Sequence, residues 1–323
     1  MTRRTTGREP GEFDLIAMFT RALPLAGRGV VVGPGDDAAV LRPAPGEDLV
    51  VTVDAVMEGV HFDRRFAPPD IGWKALAVNL SDLAAMGARP VGALVALGLP
   101  RGTPAAAVRG VARGLGACAR AFHTPVVGGN VTRADALSLT VTVLGAVPEG
   151  RAVLRTGARP GDVVAVTGTI GDAALGLAPG APAALARRQR RPTPRIAAGR
   201  ALGPLVRAAI DVSDGLVQDL GHLCRASGVG ARIGATDLPL SEAYRRAARR
   251  LADPLAAALG GGEDYELVVA LPPANLAAAR AAAARVGVSL TAVGRFVRGR
   301  GVRVVGARGE VVRAPAGHDH LRP

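Results

Sequence analysis

Along the chain, short runs rich in β-branched residues alternate with longer Ala- and Leu-rich stretches of helical period. Strands are expected at Leu49 to Val53, Ala93 to Leu99, Leu137 to Val147, Asp162 to Val166, Ala208 to Val212 and Glu266 to Leu271. Helices are expected at Ile71 to Met86, Pro104 to Phe122, Gly215 to Ala226 and Pro273 to Val286, with Gly87 closing the first. Residues 148–161 carry Gly150, Gly157, Pro160 and Gly161, a turn-rich connection near the midpoint, whereas the Pro- and Arg-rich residues 178–194 read as an irregular loop. A chain of 323 residues is longer than one core usually grows. The expected organisation is a polar tail over 1–10, an N-terminal domain over 11–148 and a C-terminal domain over 149–323.

Composition narrows the setting. No apolar stretch approaches the roughly 20 residues that span a bilayer, and the first ten residues lack the apolar core of a secretory signal. Cys118 and Cys224 are far apart, without metal-type spacing, and suit a reducing cytoplasm as core residues. The expected protein is soluble and cytoplasmic, with no membrane partner. A net charge of +13 invites a nucleic-acid partner. Against that, the positive charge is almost all arginine, Lys74 being the only lysine, and aromatic residues make up only 3%. The runs Arg187 to Arg200 and Arg245 to Arg250 read as solvated helix faces or loops, and no nucleic-acid partner is expected.

The acidic residues carry more information. Asp36 and Asp37 sit in a glycine turn, Asp54 follows an expected strand, and Asp211 and Asp214 bracket Asp-Val-Ser-Asp-Gly. Singly, such aspartates usually serve their own turn. Asp82 is different, because the helix around it is apolar and sets Asn79 and Asp82 on one face. Converging carboxylates repel by about 4 kcal/mol per pair at 4 Å and an effective dielectric near 20, so a cation must offset them. Hard oxygen donors without His or Cys select Mg²⁺, which takes phosphate oxygens as further ligands. No Gly-x-x-x-x-Gly-Lys-Ser/Thr loop is present. Phosphates would have to be held through metal ions and backbone N–H groups, with Gly128-Gly129, Gly168 to Gly171 and Gly260 to Gly262 allowing close approach.

The order of these segments resembles the thiamine-monophosphate kinase family, in the superfamily of aminoimidazole ribonucleotide synthetase and selenophosphate synthetase. The resemblance runs through Gly11 to Ile16, Gly35 to Ala39, Asp54 to Phe62, Asn79 to Ala88, Val127 to Gly129, Arg155 to Gly157, Thr167 to Asp172, Ile210 to Gly215 and Gly261 to Leu267. It implies a PurM-like two-domain architecture, an α/β N-terminal domain that binds ATP and Mg²⁺ and dimerises, and an α+β C-terminal domain. By the same resemblance Asp37, Thr52, Asp54, Asp82, Asn130, Asp211 and Asp214 would bind Mg²⁺, and Gly128, Gly129, Asn130, Arg155 and Ser213 would bind ATP. His61, Glu263 and His318 would face thiamine monophosphate, and the chain would be a homodimer. The implied reaction is direct in-line transfer from ATP to thiamine monophosphate with no acid–base residue, since a phosphate monoester with a second pKa near 6 is already ionised.

Three positions depart from the family pattern. Asn130 stands where an aspartate is usual, Val53 where a hydroxyl residue is usual, and His318 in the usual aromatic position. The alternatives are another ATP-using enzyme of the superfamily, a nucleotide-binding regulator without turnover, and a basic nucleic-acid binder.

Overall fold

Strands and helices alternate through both halves of the computed structural model, which describes residues 12–32, 39–249 and 251–313. Two compact units interleave along the sequence. One comprises Met1–Arg42, Val53–Leu76 and Val91–Val143; the other comprises Pro43–Thr52, Ala77–Pro90 and Leu144–Pro323. The segment holding Ser81 and Asp82 therefore belongs with the C-terminal half of the chain.

The first half contains α1 (Glu12–Thr20), β1 (Val30–Val32), β2 (Val40–Leu41), β3 (Glu47–Met57), α2 (Pro68–Ala85), β4 (Arg89–Leu99), α3 (Ala105–Ala121), β5 (Val126–Arg133) and β6 (Ser138–Pro148). β1 and β2 form a small antiparallel pair, and a four-stranded sheet runs β3-β6-β4-β5. β4 and β5 are parallel, which obliges the crossover that α3 supplies. Pro68 and Pro69 open α2, where a missing N–H costs nothing, and Gly87, at φ 71°, stops it. α3 buries Val108, Val111 and Leu115 but also Gly110 and Gly114. A Cβ on Gly114 would lie 1.7 Å from the Pro69 carbonyl oxygen, and one on Gly72 would lie 1.9 Å from that of Val111. The two helices thus meet backbone to backbone.

The second half contains β7 (Val163–Thr167), α4 (Asp172–Gly176), α5 (Ala183–Arg190), α6 (Ile196–Leu202), β8 (Ala208–Asp211), α7 (Leu216–Ser227), β9 (Gly230–Gly234), α8 (Glu242–Ala248), α9 (Ala256–Gly260), β10 (Leu267–Leu271), α10 (Leu276–Arg285), β11 (Leu290–Val297), β12 (Gly301–Val305) and β13 (Val311–Val312). Its seven-stranded sheet runs β13-β12-β9-β11-β7-β10-β8. Only the β12–β9 pair is parallel. β7 and β10 are buried along their whole length, which explains their unbroken Val, Ala and Leu runs. α7 packs Leu216, Leu220 and Leu223 into the core with Val164, Val166, Ile210, Val268 and Phe296.

Residues 178–194 correct the sequence expectation, because residues 183–190 form α5 rather than irregular loop. Ala183 to Ala186 are strong helix formers behind Pro182, and Leu185 and Gln189, four apart, turn one face inward. Ser213 and Asp214 lie in the turn before α7.

Gly114→Ala is expected to cost about 1–3 kcal/mol through overpacking, read as a lower melting temperature. Gly221→Ala in α7, whose added Cβ would meet nothing nearer than the Arg225 guanidinium at 3.5 Å, should be neutral or gain up to about 1 kcal/mol. Equal effects at the two positions would contradict the close approach of α2 and α3.

Candidate active site

The site begins with the apolar run of α2, which buries Ala77, Val78 and Leu80 and so fixes the residues that follow. Ser81, fully buried, donates its hydroxyl to Asp211 Oδ2 at 2.7 Å, and Asp211 is the last residue of β8. Thr52 on β3 donates to Asp82 Oδ2 at 2.6 Å. Three elements of the second unit therefore converge two carboxylates through two hydroxyls. Burial pushes both carboxyls above the ordinary range, and the charge of Asp82 pushes Asp211 further. The Thr52 and Ser81 hydroxyls and the Arg155 guanidinium pull in the other direction without offsetting it.

The turn after β8 is built on another acid. Asp219, in the first turn of α7, reaches back so that Oδ2 accepts from the backbone N–H groups of Ser213, Asp214 and Gly215 at 3.0–3.1 Å. Desolvation still raises its pKa to about 7. Asp214 accepts from Gln218 Nε2 at 3.3 Å.

The Gly-Gly-Glu-Asp-Tyr-Glu segment is laced to that turn. Glu263 N–H donates to Ser213 O at 2.8 Å, Tyr265 N–H to Val212 O at 2.9 Å, and Val212 N–H to Glu266 O at 2.8 Å. Glu263 and Tyr265 hold left-handed backbones at φ 68° and 51°, which non-glycine residues adopt rarely and only where surroundings impose it. Asp264 accepts from Gly171 N–H at 2.5 Å and Ala173 N–H at 3.2 Å, and burial raises it to about 7. Glu266, fully buried, meets Arg195 through both oxygens at 2.7 and 2.5 Å, Arg188 at 2.6 Å and Thr167 at 2.8 Å. Arg188 and Arg195 are thus not the solvated residues expected of the arginine run; a buried carboxylate draws them in.

The remaining sequence-selected residues are placed as follows. Asp54 lies two residues beyond Thr52 on β3 and is exposed; Gly128, Gly129 and Asn130 are consecutive on β5, with Gly129 and Asn130 exposed. His61 belongs to the first unit, where its Nδ1 accepts from Met57 N–H at 3.2 Å. Lys74, the buried lone lysine, donates to the His61 carbonyl at 3.0 Å and sits 5.3 Å from the Phe66 ring centroid. Asp37 and His318 lie outside the described residues. Sequence reasoning missed Asp219, Asp264, Glu266, Arg188, Gln189 and Arg195. For Glu266 a signal existed: an acid opening a wholly apolar strand needs buried partners, and an arginine run lies upstream.

Among the described residues, no three His, Cys, Asp or Glu side chains gather as a metal cage. The donor set at Asp82, Asp211 and Thr52 consists of hard oxygens, and its two acids resist ionising beside one another. That chemistry fits a cation such as Mg²⁺ that keeps waters and takes substrate oxygens as its other ligands.

Two domain models match the chain: AIR synthase related protein, N-terminal domain, over residues 35–147, and its C-terminal domain over 159–307. The class is therefore a two-domain AIR synthase related protein, with an α/β N-terminal and an α+β C-terminal domain. Thiamine-monophosphate kinase of Escherichia coli strain K12 is 43% identical over 83% of this chain and 85% of its own length, and that of Caulobacter vibrioides 42% identical over 84% and 80%. The chain belongs to the thiamine-monophosphate kinase family. Among solved structures, the thiamine-monophosphate kinase of Stenotrophomonas maltophilia K279a superposes with a TM-score of 0.81 at 39% identity, covering 92% of this chain and 95% of that one. AaThiL complexed with AMPPCP and TMP gives 0.77 at 34%, covering 98% and 100%. The hydrogenase maturation protein HypE of E. coli, at 0.76 and 23% identity over 94% and 97%, shares the fold.

Asp82, Asp211, Asp219 and Asp264 all have raised folded pKa values, so the folded protein holds protons that the unfolded chain has lost. In chelator, stability is expected to fall as pH rises from about 4 to about 8, the value to which burial and Asp82 push Asp211. Denaturant titrations of wild type and Asp211→Asn check this: the variant should be the more stable near neutrality, with a shallower slope. A wild-type stability that climbs across the window contradicts the placement of these acids.

Proposed function

We propose that this chain transfers the γ-phosphoryl group of ATP to thiamine monophosphate, giving thiamine diphosphate and ADP. The observation that carries the reading is the mutually repelling pair of buried Asp211 and half-buried Asp82, with Thr52 bonded to Asp82 and Arg155 acting on both, in a chain of this family. Support comes from a relative 34% identical that was solved with AMPPCP, a mimic of ATP, and TMP.

In this reading Asp37, Thr52, Asp54, Asp82, Asn130, Asp211 and Asp214 hold Mg²⁺. Gly128, Gly129, Asn130, Arg155 and Ser213 hold ATP, and His61, Glu263 and His318 hold thiamine monophosphate. Bound Mg²⁺ supplies neutralisation of polyphosphate charge and a template for its oxygens. Arg155 adds a fixed positive charge that already acts on Asp82 and Asp211. Ser213 stands in a turn whose N–H groups Asp219 occupies, so the turn is rigid before nucleotide arrives. A terminal oxygen of thiamine monophosphate attacks the γ-phosphorus in line as the bond to the β–γ bridging oxygen breaks. The acceptor's monoester is ionised near neutral pH, its second pKa being near 6, and needs no general base.

The same reading makes the chain a cytoplasmic homodimer. β3 is an edge strand, and Leu49, Val51, Val53 and Met57, exposed by 41–59%, alternate along one face of it, a surface suited to a second copy. Among the described residues no helix is long and apolar enough to cross a membrane, and both cysteines are free and buried.

Purified protein incubated with thiamine monophosphate, ATP and Mg²⁺ should form thiamine diphosphate, and Asp82→Ala should lose about 100-fold or more of the rate. Nucleotide binding without product would favour the regulator reading. Polynucleotide binding that is salt-sensitive and indifferent to Mg²⁺ would favour the nucleic-acid one.

Asn130→Asp tests the departure at that position. It should lower the Mg²⁺ concentration giving half-maximal rate by several-fold, as one charge returns to a metal position. An unchanged Mg²⁺ dependence removes Asn130 from the metal set.

A further inference from the structure

Ser81 has no role in the reading above, yet its side chain touches the centre of the site. It lies in α2 with Leu80 before it and Leu83 two residues on, all three fully buried. A serine inside a helix ordinarily turns its hydroxyl back to a carbonyl of the preceding turn. Here the hydroxyl donates to Asp211 Oδ2 at 2.7 Å, across 130 residues of sequence, and among the described residues that is the hydroxyl's one hydrogen bond. A hydroxyl buried without an acceptor would cost about 1–3 kcal/mol, so the apolar packing of α2 and the placement of Asp211 are tied together.

The bond makes the two oxygens of Asp211 unequal. Oδ2 holds the Ser81 proton, while Oδ1 has no hydrogen bond among the described residues. Asp82 repeats the pattern, its Oδ2 holding the Thr52 proton at 2.6 Å. A proton held on one oxygen draws charge from it and fixes the carboxylate plane, so the group offers a cation one strong donor rather than two equal ones. That difference sorts divalent ions. Mg²⁺ demands near-ideal octahedral geometry at about 2.0–2.1 Å, which the narrow bite of a carboxylate using both oxygens does not satisfy, whereas Ca²⁺ accepts carboxylates through one oxygen or both in a larger, flexible shell.

We infer that Ser81 is the positioning residue for Asp211, and that by holding one oxygen of that carboxylate it makes the site select Mg²⁺ over Ca²⁺. This rests on the reading above, in which Asp211 holds the metal.

The test is the melting temperature of the metal-free full chain, wild type and Ser81→Ala, titrated with MgCl₂ and separately with CaCl₂, since an ion that binds only the folded state raises it. Removing the hydroxyl should move the ratio of Mg²⁺ to Ca²⁺ affinity toward Ca²⁺ by about tenfold, the order expected for a hydrogen bond to a charged group. Loss of the hydroxyl also strengthens proton binding to Asp211, but that competition weakens both ions alike and cancels in the ratio. If Ser81→Ala folds poorly, Ser81→Cys, which offers only a weak donor, should move the ratio in the same direction. Equal weakening of both ions, or a change confined to the metal-free melting temperature, would overturn the inference; thiamine diphosphate formation by the wild type, read separately, would then leave the kinase reading standing. A wild type that forms no thiamine diphosphate while the ratio shifts as expected would overturn the kinase reading and uphold the role of Ser81. A wild type that neither ion stabilises would overturn the inference together with the metal placement of Asp211.

Discussion

A carboxylate taken out of water resists ionising unless something replaces its hydration, and the second unit takes several of them at least partly out of water, five of which shape the candidate site. Asp211, Asp219, Asp264 and Glu266 are buried and Asp82 is half-buried. Each is compensated by different means, and the means separate scaffold from site. Glu266 has guanidinium groups, while Asp219 and Asp264 have backbone N–H groups that cap turns and helix starts. Asp82 and Asp211 have one hydroxyl apiece and each other's repulsion, with the exposed Arg155 as the nearest relief.

That asymmetry has a physical consequence. A folded core in which every buried acid was neutralised would be more stable and inert, whereas among the described residues Asp82 and Asp211 keep a deficit of positive charge that Arg155 does not make up. The deficit lies between the end of β8, the strand β3 and the polar end of an otherwise apolar helix. The hydroxyls are well chosen for such a place, since each donates to a carboxylate while its oxygen stays a hard donor in its own right. The backbone bonds from Glu263 and Tyr265 to the turn at 212–213 then make residues 263–265 and the carboxylate turn one mechanical piece.

Much of this was legible in the sequence. The strands β4, β6, β7, β8 and β10 and the helices α2, α3, α7 and α10 announce themselves by periodicity, and Asp82 stands out because its neighbours are apolar. β9, β11 and β12 were missed because glycine and arginine interrupt them at Gly230, Arg232, Gly294, Arg295 and Arg303, positions whose suitability depends on pairing across the sheet. α5 was missed because Pro182 and the arginines mask a short helix whose inward face is only Leu185 and Gln189. The partner of Glu266 was illegible for a different reason: an arginine run looks the same whether it faces water or a buried acid, and about 70 residues separate the two in sequence.

The choice of arginine over lysine bears on what the charge of the chain means. Glu266 is held by a planar fork from Arg195 that fills both oxygens while Arg188 shares one of them, an arrangement that ammonium groups, being compact point charges, could not share in the same way. Lys74, the one lysine, is itself buried beneath a carbonyl and a ring. Part of the formal +13 is thus spent on internal acids and internal carbonyls and never reaches the surface as field. The bare count overstates the attraction a polyanion would meet, and it understates how much of this core is ordered by charge.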